Sequence, residues 1–106
     1  MALQFFVLKR GATLALAGTA SLVTGSWTAL SEVRNLEGTL IATLDTTLTA
    51  PTAPNTLWLL TLGKDAASTA LWPLGPLNCD IRFVDGDEVI FTPTFQINVA
   101  AEVTDA

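Results

Sequence analysis

Apolar and polar residues alternate with a period of two along most of this chain, and the alternation restarts at turn signals spaced roughly ten residues apart. The clearest run places Leu77, Cys79, Ile81 and Phe83 on one side and Asn78, Asp80 and Arg82 on the other, the pattern of a strand with one buried face. Asp85-Gly86 then has the chemistry of a type I′ hairpin turn. After it Val89, Phe91, Phe95, Ile97 and Val99 keep one phase, with Pro93 on the same parity. This predicts a single long strand bent at Pro93, placed at an edge or a crossover because proline has no amide proton for a ladder.

Leu3–Lys9 reads as a first strand, apolar on both faces and ended by Arg10-Gly11, and 13–19 as a second with Leu14 and Leu16 together. A third, Trp27–Arg34, alternates imperfectly, which predicts a bulge or a half-buried ion pair near Glu32 and Arg34. After the turn 35–38, one continuous strand is expected with Leu40, Ala42, Leu44 and Leu48 on its apolar side. A proline-punctuated loop covers 49–55. Residues 56–62 are apolar on both parities, either a central strand or one whose outer face meets another chain. Asp65 is placed to cap one short helical turn before Trp72-Pro73 forces a restart. About eight strands and at most that one helical turn predict an all-β fold, an antiparallel β-sandwich or a closed barrel, with 1–106 as a single domain.

Composition narrows the function more by exclusion than by assignment. The chain has 106 residues, half of them hydrophobic and 14% charged, which argues against disorder and implies either an unusually well buried fold or apolar surface that meets a partner. A formal net charge of −5, with five basic residues of which only Lys9 and Arg10 are adjacent, argues against nucleic acid. No apolar run approaches the ~20 residues of a membrane-spanning helix. The segment 11–23 behind Lys9-Arg10 imitates a secretory leader, but its alternation and the apolar residues before the basic pair favour a strand–turn–strand.

Candidate chemistry is sparse. Histidine and tyrosine are absent and Cys79 is the sole cysteine, so neither an internal disulfide nor a thiolate zinc site is available, and no cofactor or metal is expected. Cys79 alternates with Leu77 and Ile81 and reads as a buried small hydrophobe. Asp85, Asp87 and Glu88 read as an ordinary hairpin tip, lacking the longer oxygen-ligand pattern of a calcium loop. Trp27, Trp58 and Trp72 read as core, with an exposed sugar-stacking platform as the other use of such residues. Asp80 and Arg82, with Glu32 and Arg34, predict a cross-strand ion cluster that sets register or meets a partner.

Read as a spaced pattern, Lys9-Arg10-Gly11, Trp27–Arg34, Gly38–Leu44, Thr69–Gly75, Cys79–Phe83 and Val89–Val99, closing on Val103-Thr104, resembles small bacteriophage and prophage proteins associated with the tail, baseplate or tail fibre. The resemblance implies an Ig-like or jelly-roll-like antiparallel β-sandwich and a non-enzymatic virion structural protein, made in the bacterial host cytoplasm and assembling with other virion proteins or copies of itself. The expected assembly surface comprises Trp58, Leu60 and Leu62, then Phe6 and Leu8, with Arg34, Asp80 and Arg82. Two other readings stand beside it: a cell-surface carbohydrate- or protein-binding β module, and a secreted β-domain with a cleaved leader.

Overall fold

Nine strands and one helical turn, described for residues 5–102 in a computed structural model, build two sheets packed face to face. They are β1 (Phe5–Lys9), β2 (Leu14–Ala20), β3 (Thr28–Arg34), β4 (Leu40–Thr43), β5 (Asp45–Thr49), β6 (Trp58–Lys64), α1 (Ala66–Thr69), β7 (Gly75–Asp85), β8 (Glu88–Phe91) and β9 (Phe95–Ala100). The larger sheet runs β1-β9-β7-β3-β4, with β8 also on β7, and the smaller runs β2-β6-β5. The result is a two-sheet β-sandwich, the all-β architecture that the alternation predicts. The residues Leu3 and Val103-Thr104, expected to start the first strand and close the pattern, lie outside the described residues.

The alternation of β7 does what its sequence predicts. Leu77, Cys79, Ile81 and Phe83 are all buried and share one inner sheet face with Val33 of β3 and Ile97 and Val99 of β9. The facing layer supplies Leu14 from β2 and Trp58, Leu60 and Leu62 from β6. Polar groups at the ends of this core are satisfied. Thr69 is fully buried at the end of α1, and its hydroxyl donates to the Ala12 carbonyl at 2.7 Å, tying the turn before β7 to the turn between β1 and β2.

Several expectations change. The continuous strand across 40–48 is two strands in different sheets. Leu44, 4% exposed, drops into the core at the corner, its N–H bonds to the Ser31 carbonyl at 2.8 Å, and the chain leaves β3 for β6. Alternation within one strand carries no information about which sheet it joins. The long strand at Pro93 is likewise two strands, β8 and β9, interrupted at 92–94, although both pair with β7. β1 joins β9 in parallel rather than antiparallel, an arrangement that its apolar residues on both parities permit but do not dictate. The tip after Asp85 has Gly86 at φ +60° and no other positive φ, so it is a Gly-first turn of the II′ kind rather than I′. The bulge foreseen in the third strand is present, between Val33 and Arg34.

The leader-like segment is β2. Its Leu14 is 4% exposed, and all seven of its residues pair with β6, so a chain beginning at Ser21 loses β1, β2 and one wall of the core. Such a truncation is expected to show no cooperative transition in urea followed by circular dichroism. Ile97→Ala in the full chain should keep the transition but lower the unfolding free energy by about 2–5 kcal/mol. A cooperative truncated chain would contradict the placement of β1 and β2.

Candidate apolar cleft and charged sheet face

On the flank where β2 and β8–β9 form the lips of the sandwich, the two sheets do not close. The opening is a cleft of about 290 Å³. Leu16, Leu60 and Leu62 line it from the smaller sheet, and Phe6, Ile81 and Phe95 from the larger. Phe6 and Phe95 meet edge to face with centroids 5.7 Å apart, a stable aromatic arrangement that fixes one wall. The rim is 92–94: Thr92 exchanges bonds with Ile81, its N–H donating to the Ile81 carbonyl and its hydroxyl accepting the Ile81 N–H, both at 3.0 Å. Pro93, which brings no donor, then carries the chain round the bend between β8 and β9.

Gly18 holds the cleft open. On β2 the inward parity reads Leu14, Leu16, Gly18, Ala20, with Gly18 opposite Leu60. The glycine is required neither by backbone conformation, since its φ is not positive, nor by crowding, since an added Cβ meets nothing within 4 Å. A strand-interior glycine usually marks a bulge or a place where something approaches closely. Among the described residues β2 is also a free edge of its sheet, and Ala15, Ala17 and Thr19 along it are exposed, without the lysine or proline that commonly blunts such edges. Among the described residues, no side chain lining the cleft is ionisable.

The outer face of the larger sheet carries the charges singled out in the sequence. Glu32 and Asp80 are register partners on β3 and β7, Leu30 is opposite Arg82, and Arg34 is opposite Asn78. The ion pair that forms is within a strand, Arg34 Nη2 to Glu32 Oε1 at 3.0 Å, and not the cross-strand cluster expected. Among the described residues neither Asp80 nor Arg82 has an ion-pair partner. Behind this face Ser31 and Cys79 are buried with Oγ and Sγ 3.1 Å apart. The Ser31 hydroxyl donates to the Asp80 carbonyl at 2.9 Å, and in its contact with Cys79 either the hydroxyl or the thiol can be the donor. Burial pushes that thiol up to about 11; the Ser31 contact works against the rise and the Asp80 charge adds to it.

The expected assembly residues therefore divide by location. Trp58, Leu60, Leu62 and Leu8 face inward at 6–7% exposure, so they are core and not an outward apolar strand face. What β6 shows outside is Leu59 and Thr61. Phe6 lies in the cleft, and Arg34, Asp80 and Arg82 stand on the outer sheet face. All three tryptophans are buried, and the indole N–H groups of Trp27 and Trp58 donate to the Val23 and Leu22 carbonyls, so a sugar-stacking platform is excluded. Sequence reasoning passed over Leu16, Gly18 and Phe95 as a group. The available signals were a glycine inside a strand and a proline inside another.

No family model and no curated protein matches the chain. Among solved structures it is similar to CopC from Methylosinus trichosporium OB3b, at a TM-score of 0.46 and 10% identity, covering 100% of this chain and 91% of that one. The expectation of a phage or prophage structural role is corrected: no tail, baseplate or fibre family model and no such curated protein matches the chain.

The buried thiol gives a test of the inner wall. A group with ordinary value 9.0, held protonated up to about 11 by the fold, contributes stability that is complete below pH 9 and lost as pH rises towards 11, because the unfolded chain ionises first. The melting temperature of the native protein should fall more steeply over that window than that of Cys79→Ala. Parallel slopes would place the thiol in contact with water.

Proposed function

We propose that this chain is a non-enzymatic binding module that takes an extended, apolar peptide segment of another protein along the free edge of β2, with alternate side chains entering the cleft. Gly18 carries the reading: it vacates an inward position where its strand neighbours place Leu and Ala, and neither φ nor packing requires it. Glycine inside a strand is destabilising by roughly 0.5–1 kcal/mol relative to alanine. The space it leaves is continuous with a cleft whose walls are leucine, isoleucine and phenylalanine.

The two parts of the site suit an added strand. An unpaired sheet edge supplies main-chain hydrogen bonds, and pockets for every second side chain supply selectivity. The volume lies just under the ~300–1,000 Å³ range of drug-sized sites, which favours one or two aliphatic side chains over a whole cofactor. A cleft without ionisable groups favours apolar side chains at the buried positions and leaves the solvent-facing positions of the peptide unconstrained.

Isothermal titration with eight-residue peptides carrying leucine or valine at alternate positions tests this. Binding to the native chain should weaken at least tenfold in Gly18→Val, which fills the cleft. The same substitution should leave the unfolding free energy unchanged or raised by up to about 1 kcal/mol. Equal peptide affinity in Gly18→Val would overturn the assignment, as would binding of a peptide whose alternate positions are serine.

A further inference from the structure

The outer face of the larger sheet contains a pairing that a single copy leaves unresolved. Glu32 and Asp80 sit directly opposite on adjacent strands, a like-charge juxtaposition that destabilises a sheet. Glu32 is relieved by Arg34. Asp80, partly buried, has no cation, while Arg82, about 6.7 Å further along the same strand, is exposed and has no carboxylate, both counted among the described residues. Apolar side chains stand at two corners of this patch: Phe91, 60% exposed, opposite Arg82, and Leu40, 46% exposed, opposite Arg34.

From this charge pattern we infer that the face docks a second copy of the same chain. Two copies related by a two-fold axis lying between the faces, and crossing β7 between Asp80 and Arg82, set each Arg82 over the other copy's Asp80. One symmetric contact thus supplies both missing counter-charges and covers the exposed phenylalanine, the self-complementarity that an isologous interface demands. The rest of the surface argues for this location. The chain carries a net charge of −5 and its copies repel, whereas the Glu32, Arg34, Asp80 and Arg82 patch is neutral. It lies on the outside of the larger sheet, while the cleft opens between the sheets, so a dimer leaves the cleft accessible.

Sedimentation velocity on the full chain, from micromolar to millimolar concentration, tests the inference together with two charge reversals. Native protein should dimerise, and more weakly at 0.5 M than at 0.05 M salt. Arg82→Asp and Asp80→Arg should each weaken association at least tenfold, because each places like charges over one another. Mixed in equal amounts, the two variants should form a heterodimer, since one chain then presents two acids to the two arginines of the other. That recovery cannot come from misfolded chains. Native protein that stays monomeric to millimolar concentration would overturn the inference and leave the face to a different protein. A mixture that stays monomeric, or single variants that dimerise as the native chain does, would equally overturn it.

Discussion

The whole sandwich depends on the period-two burial of β7. It pairs with β3 along one edge and with β9 and β8 along the other, so it joins three strands of the larger sheet in one register. Its inward set, Leu77, Cys79, Ile81 and Phe83, forms the floor against which β2 and β6 close. A slip of one residue would send Asp80 and Arg82 into that floor and put four apolar residues in water, so the register is set by desolvation rather than by the turn. Ile81 belongs to both the core and the cleft, and Asp80 and Arg82 on the opposite side belong to the charged face. The cleft and the charged face are therefore both consequences of one strand's alternation.

Much of this was legible in the residues themselves. The buried set of β7, the hairpin after Asp85, the turn at 35–38 where Asn35 accepts from the Glu37 and Thr39 amides, and the one helical turn, which Asp65 precedes without making a side-chain cap bond, were all within reach of local chemistry. What escaped was long-range. Leu40 through Leu48 alternates well enough to pass for one strand, and only the packing of Leu44 against β3 shows that the chain changes sheet there. Trp58, Leu60 and Leu62 resembled a sticky outer face because Leu57, Leu59 and Thr61 interleave with them. Pairing with β2 on one side and β5 on the other settles which parity goes inward.

The cleft was legible only in fragments. Gly18 interrupts a strand and Pro93 interrupts another, and each alone has an ordinary reading as a strand break. They line one cleft because β2 and β9 belong to different sheets whose edges lie on the same flank, a fact of topology that no window of sequence contains. The like-charge pair Glu32–Asp80 is hidden for the same reason, since the two residues lie 48 apart in the chain and meet only through the β3–β7 register. Site chemistry in a small sandwich thus arises where strand edges and faces converge, while its core is written strand by strand.

The most direct check on the account is amide hydrogen exchange in β2, followed residue by residue with and without an alternating leucine peptide. The account predicts that β2 amides not bonded to β6 become protected when the peptide binds, together with slower exchange around the rim at 92–94. Peptide binding that leaves the β2 amides exchanging at their free rate would contradict it.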